Sequence, residues 1–187
     1  MKQNFGVKNW IFPMPVLMIG TYDESGVPNM MNAAWGGCTM EDEITICIDN
    51  THKTWKNILA KKCFTVAFGT RSTVAECDYL GITSGNKTPD KLEKSGFTVT
   101  KASKIDAPVV NELPLVLECR LRAIDEDACR VVGEIVNTAA DESILTDGKV
   151  DIAKLRPIIF DTCAHTYHVV GEKIANAFSV GKTVKRS

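Results

Sequence analysis

Two long apolar runs, "PLVLECRLRAI" (114–124) and "CRVVGEIVNT" (129–138), are separated only by "DEDA". So short and turn-forming a spacer predicts a strong antiparallel hairpin. In the first run Leu115, Leu117, Cys119, Leu121 and Ala123 alternate with Val116, Glu118, Arg120 and Arg122. A period of two predicts one core face and one largely wet face. Such a hairpin needs antiparallel partners on both edges, and the rest of the chain supplies them. "PVLMIGTY" (15–22) reads as a buried strand, "DESG" (23–26) as a hairpin loop and "PNMMNAAWGG" (28–37) as the return strand. "EITICID" (43–49) and "CFTVAFG" (63–69) are further strands, and "PIIF" and "TYHVVG" close the chain.

Helical signals are short. "NTHKTWKNILAKK" places Trp55, Ile58, Leu59 and Lys62 on one side, with Thr51 as the predicted N-cap. "STVAECDYLG" (72–81) offers Ser72 as cap and Gly81 as stop. "TPDKLEKSG" has Thr88 at the cap, Pro89 at the first helical position and Gly96 as terminator. A last helical piece near 151–156 ends at Pro157. Hairpin-linked strands with short helices inserted predict a mainly β, α+β chain folded as an antiparallel barrel or sandwich. The rhythm of a parallel sheet and the G-x-G-x-x-G fingerprint are both missing, which argues against a Rossmann site. No repeat, low-complexity segment or linker divides residues 1–187, so a single domain is expected.

A formal net charge of −1 argues against a nucleic-acid binder relying on a broad basic surface. The N-terminus lacks a signal-peptide core, and no stretch approaches a membrane span. Seven Cys, an odd number without C-x-x-C, sit mostly inside apolar runs where they act as small hydrophobes. The expectation is a cytoplasmic protein with reduced thiols.

The strand at 28–37 is unusual for a packing strand. It carries two Asn, two Ala and two Gly, with Trp35 as its one large side chain. Asn29, Met31, Ala33 and Trp35 share one face; Met30, Asn32, Ala34 and Gly36 share the other. Small residues let a flat ligand reach backbone groups, Asn supplies donor and acceptor, and Trp offers a stacking wall. A planar, polar-edged heterocycle fits that surface; a crowded barrel corner with Trp35 as core is the competing reading. Next, "DNTHKTW" (49–55) brings free helix N–H groups together with Thr51, His52, Lys53 and Thr54. These suit a terminal phosphate; plain capping by Thr51 is the alternative. In "SGNKTPDK" (84–91), Lys91 falls in a first helical turn, where the macrodipole disfavours a cation unless an anion sits beside it. His165 and His168 in "HTYH" are spaced to face opposite ways, so no metal site is expected. Glu134 could be a buried acid, but a single carboxylate specifies no reaction, and no catalytic residue is named.

These pieces, in this order, resemble the flavin reductase-like family with an FMN-binding split barrel, and within it the flavoredoxins. The resemblance is carried by "FPMPVLMIGTYDESGVPNMMNAAWGG", "THKTWKNI", "DYLGITSG…DK", "LPLVLECRL", "VVGEI" and "RPIIF…TYHVVG…AFSVG". It implies a six-stranded Greek-key barrel with inserted helices, a homodimer, and one FMN per subunit near the interface. It implies that Asn29 and Trp35 contact the flavin, with Asn32, Ala33 and Ala34 beside the ring and Phe160 as a ring neighbour. Thr54 and Lys91 are implied at the phosphate end, with Thr51, Lys53 and Ser84 nearby. Relatives often carry a His five residues before the Gly of "VGE"; here that position is Ala128, followed by Cys129. The implied function is NAD(P)H-linked reduction of flavin or small acceptors, or electron transfer with a redox protein. Two other readings are a non-enzymatic flavin-binding or carrier module, and a barrel holding another planar ligand such as haem.

Overall fold

The computed structural model describes residues 1–184. After an irregular N-terminal arm come β1 (Met14–Pro15) and β2 (Leu17–Tyr22). Asp23 accepts the Ser25 and Val27 N–H groups and turns the chain into β3 (Pro28–Ala33). β4 (Gly36–Met40), β5 (Glu43–Cys47), α1 (Lys53–Lys61), β6 (Cys63–Phe68), α2 (Val74–Ile82) and α3 (Lys91–Lys94) follow. A small ribbon, β7 (Val99–Lys101) and β8 (Pro108–Val110), precedes the long hairpin of β9 (Leu115–Asp125) and β10 (Arg130–Ala140). The chain then runs through β11 (Leu145–Thr146), β12 (Lys149–Val150), α4 (Ile152–Leu155), β13 (Ile158–Asp161) and β14 (Thr166–Val169).

The main sheet is antiparallel and seven-stranded, in the order β3-β2-β6-β9-β10-β5-β4. Its two edge strands come from one sequence run. The stretch 28–37 leaves the sheet at Ala34–Trp35 and passes from one edge to the other, so six predicted strands become seven and the sheet curls into a split barrel. Gly36 marks the closure. A Cβ there would stand 2.8 Å from Ile46 Cγ2, 2.9 Å from the Thr45 carbonyl and 3.1 Å from Leu17 Cδ1. Only glycine lets β4 fit between β2 and β5 so closely.

Strand alternation sorts the core into two clusters. Leu17, Ile19, Ile46, Phe64, Val66 and Val131 fill the barrel, with Trp55 and Ile58 of α1 joined to them. Val16, Met18, Met30 and Ala67 point outward, where Leu80 of α2 and Leu92 of α3 cover them. The expected wet face of β9 is therefore dry along its first half: Val116 packs in the outer cluster and Glu118 is also buried. Glu118 accepts from the Ser103 hydroxyl (2.9 Å), the Lys104 N–H (2.7 Å) and the Asn137 amide (2.8 Å). Burial alone would raise its pKa; these hydrogen bonds hold it below the ordinary value. Glu134, the acid suspected from sequence, is half-exposed and faces Arg122 at 3.7 Å. Of the seven cysteines only Cys63, Cys77 and Cys119 are buried; the others reach the surface, so packing explains fewer than expected.

Helix ends also differ from the expectation. Gly81 lies inside α2, where any side chain would collide with Asn32; it serves close helix–strand approach, and α2 ends after Ile82. A short 3-10 turn at Arg71–Thr73 precedes α2, and Thr70 with Thr73 forms the capping box in place of Ser72. The third helix begins only at Lys91, with Asp90 at its cap position, while Gly96 does take the left-handed turn (φ 82°).

Gly36→Ala is expected to cost about 1–3 kcal/mol, because the backbone carbonyl of Thr45 cannot yield as a side chain would. Gly37→Ala, facing open space, is expected to stay within about 0.5 kcal/mol. Urea unfolding of the two variants checks the contrast, with equal m-values showing that the denatured states match.

Candidate functional site

The gap left by the strand break opens into two abutting cavities. The larger, about 580 Å³, is walled by Asn32, Ala33, Ala34, Trp35, Phe160 and Tyr167, among others. The smaller, about 190 Å³, is walled by Asn29, Lys53, Thr54, Ser84, Gly85 and Lys91. Met31, His52, Gly81 and Ile82 line both. The walls are chemically distinct: one aromatic and apolar, the other rich in hydroxyls, amide and cations.

The small cavity sits at the start of α1. His52 is the N-cap residue, in extended conformation, and no side chain caps the helix. The first N–H groups of α1 are therefore without side-chain partners at the positive end of the dipole. Asn29, only 1% exposed, donates through Nδ2 to the Thr54 hydroxyl at 2.9 Å. Its Oδ1 is buried without any partner. A buried, unmatched acceptor is costly and calls for a donor from a ligand. Gly85 passes so close to that oxygen that no side chain fits there. Lys53 pairs with Asp23 at 3.1 Å. Lys91, 3% exposed, donates to the Leu80 carbonyl at 2.6 Å and the Thr83 carbonyl at 2.7 Å. Burial first, and the neighbouring Lys53 charge second, bring its pKa down to about 8.

In the larger cavity Trp35 is 48% exposed, which rules out the reading of it as core. Phe160 stacks on His165 (centroids 6.1 Å apart, 9° between planes) and tilts against Tyr167 at 5.9 Å. The Tyr167 hydroxyl donates to Asp78 Oδ1 at 2.7 Å. Burial and then Asp78 push its pKa up to about 12, so it stays a neutral donor. Asn32 Nδ2 donates to the Cys77 carbonyl at 3.3 Å, fixing α2 against β3.

The flavin reductase-like domain model matches residues 9–155. A flavoredoxin from Desulfovibrio vulgaris (Miyazaki F) is 36% identical, covering 97% of this chain and 100% of its own, with a TM-score of 0.92. This chain belongs to the flavin reductase-like family. A flavoredoxin from Methanosarcina acetivorans is 30% identical over 97% of this chain and 98% of its own, TM-score 0.86. An FMN-binding domain of a flavin reductase-like enzyme from Shewanella baltica, 19% identical over 87% of this chain and 88% of its own, shares the fold at a TM-score of 0.79. No curated protein matches the chain.

Within this family frame, the residues singled out from sequence fall into two groups. Asn32, Ala33, Ala34, Trp35 and Phe160 line the larger cavity; Asn29, Lys53, Thr54, Ser84 and Lys91 line the smaller. Thr51 lines neither. Its hydroxyl donates to Asp49 Oδ1 at 2.6 Å, and the helix begins one turn position later than expected. Asp49 also accepts the Thr51 N–H, and so holds this residue in the turn before the helix, as short polar side chains near turns do. Tyr167, His165 and Asp78 are cavity residues that the sequence reading does not single out; "HTYH" is weighed there for metal ligation and "TYHVVG" as a closing strand and part of the family resemblance. Among the described residues no group of three or more His, Cys, Asp or Glu is placed to hold a metal ion. Ala128 lies in the turn between β9 and β10, and the Cys129 carbonyl beside it accepts the N–H of Ile48, a cavity residue, at 2.9 Å.

Lys91 makes stability of the ligand-free protein depend on pH with a definite sign. Its folded pKa, about 8, lies below the ordinary 10.5. Between those values the unfolded chain binds the extra proton, so stability is expected to rise with pH and to fall again as pH drops through about 8. Denaturant unfolding from pH 7 to 10.5, with Lys91→Met as reference, checks it: the variant loses that component of the slope.

Proposed function

We propose that the two cavities hold FMN, the ring against Trp35 and Phe160 and the phosphate among Thr54, Ser84, Lys53 and Lys91, in an oxidoreductase that exchanges electrons with NAD(P)H or a redox protein. The observation carrying this reading is the buried, unpartnered Oδ1 of Asn29 in the cationic cavity that abuts the aromatic one. Haem would leave the cation-and-hydroxyl compartment without purpose. The flavoredoxin relatives support the same choice by name.

FMN held there would supply one- and two-electron transfer that no side chain of the chain provides. What the chain's own groups do follows from their existing bonds. Thr54 accepts from Asn29, leaving its own proton free to donate to a phosphate oxygen. Lys91 spends two of its three protons on carbonyls and keeps one. Asn29 Oδ1 would accept from a hydroxyl of the bound group. Trp35 and Phe160 exclude water from the ring, and the neutral Tyr167 hydroxyl stays committed to Asp78.

We further propose a homodimer. Trp10, Phe12, Trp35, Ile82 and Val170 are exposed large apolar side chains, several at the cavity mouth, and a second copy would cover them. Among the described residues no helix is long and apolar enough to cross a membrane, and none of the cysteines is paired. The unpaired cysteines support placement in a reducing compartment, which we take to be the cytoplasm, and we take residues 1–187 as one domain.

Titration with FMN and riboflavin tests the assignment. Two hydrogen bonds to a charged phosphate contribute roughly 1.5–3 kcal/mol each, so FMN is expected to bind about two to four powers of ten more tightly. Thr54→Val and Lys91→Met each remove part of that preference and leave riboflavin affinity nearly unchanged. Trp35→Ala is expected to fold normally while weakening both flavins, by about 0.5–1.5 kcal/mol beyond lost area. Equal affinity for the two flavins overturns the phosphate assignment. Anaerobic mixing of the loaded protein with NADH and NADPH separates a reductase, whose flavin bleaches, from a carrier, whose flavin does not.

A further inference from the structure

A second cationic concavity lies apart from both flavin-site cavities. It measures about 240 Å³ and is lined by Thr70, Arg71, Ser72, Lys154, Leu155 and Arg156. Three of these six carry positive charge on a chain whose net charge is −1. Among the described residues none of the three pairs with a carboxylate. Asp151, the nearest acid in sequence, spends its carboxylate on the Ala153 N–H and the Thr146 hydroxyl, both at 2.8 Å. Some cations elsewhere on the surface are matched, Arg122 by Asp42 and Glu43 and Lys101 by Asp106. Lys154 gives one proton to the Leu145 carbonyl and lies near enough to Asp151 to lower its pKa, while Arg71 and Arg156 have no carboxylate partner among the described residues.

The backbone fixes this gathering. Arg156 ends α4 in the left-handed conformation (φ 49°), a position where Gly or Asn is the usual occupant. Its carbonyl accepts the Arg71 N–H at 3.0 Å, and Thr70 bridges to Pro157 as an isolated strand pair. The two segments are thus clamped with their cations on one rim. The Thr70 and Ser72 hydroxyls, 3.0 Å apart, add donors to the floor. We propose that this pocket is a subsite for a phosphate monoester. Arg matches phosphate oxygens bidentately, Lys adds a point charge, and hydroxyls complete the set. The volume is below that of a whole drug-sized ligand and suits a single anionic group with its attachment. Pro157 is three strand residues from Phe160, so the pocket lies on the order of 10 Å from the larger cavity. The phosphate can therefore come from a dinucleotide donor that reaches the flavin cavity, or from free phosphate. The first source rests on the oxidoreductase reading; the second does not.

Amide shifts in 1H–15N spectra provide the test, recorded with and without saturating FMN. The probes are inorganic phosphate, adenosine 2′-phosphate and, as control, adenosine. Saturable shifts at Thr70–Thr73 and Lys154–Arg156 are expected with both phosphates and not with adenosine. Arg71→Gln and Lys154→Gln, both at exposed positions, are each expected to weaken them by about ten- to a hundred-fold, while Lys91→Met leaves them unchanged. Because the readout ignores electron transfer, it stands whether or not FMN binds. A rise in KM for NADPH but not NADH in the Arg71→Gln protein identifies the dinucleotide as source; unchanged KM values, with phosphate shifts present in the unaltered protein and weakened by the substitution, identify free phosphate. No shift with either phosphate, or shifts untouched in both variants, overturns the proposal.

Discussion

The structure depends on one act of closure. An antiparallel sheet ends in two edges whose N–H and C=O groups need partners or cover. Here a single run, residues 28–40, supplies both edge strands, by leaving the sheet at Ala34–Trp35 and rejoining it at Gly36. The missing side chain of Gly36 allows the second edge to sit against Ile46 and Leu17. Because the two residues at the crossing are not packed between strands, Trp35 is left half in solvent and a hollow opens behind it. The cavity is thus a consequence of how the barrel shuts.

Much of this was legible from residue order. Period-two alternation and turn residues located the barrel strands, since both signals are local. The thin composition of 28–37 and the cluster of Thr, His and Lys at 49–55 pointed to the two cavities for the same reason. What escaped was set by distant partners. Val116 and Glu118 look solvent-facing on their own strand, and become buried because inserted segments from elsewhere cover the outer face. Tyr167 and Asp78 meet across 89 positions, which no local pattern reports. Thr51 is not the cap residue because Asp49, two residues away, accepts both its N–H and its hydroxyl and holds it in the turn before the helix. The family resemblance covered nearly the whole chain and supplied what local signals could not, a reason to expect the two clusters to belong to one site.

Glu118 shows how the fold tolerates a charge where apolar contacts would be expected. A buried carboxylate is costly unless each oxygen is matched, and here hydroxyl, amide and backbone donors surround it. The match ties the segment after β7 to the barrel wall.

Lys91 carries a different consequence. Its ammonium holds the Leu80 and Thr83 carbonyls at the negative end of α2, the helix whose Gly81 and Ile82 form a wall common to both cavities. One cation is therefore the counter-charge for a helix terminus and faces the compartment where an anion would sit. An anion in the small cavity would meet the third proton of the ammonium whose other two hold the helix end. The same group would then tie a wall of the aromatic cavity to the compartment next door, with no moving lid and no domain rotation.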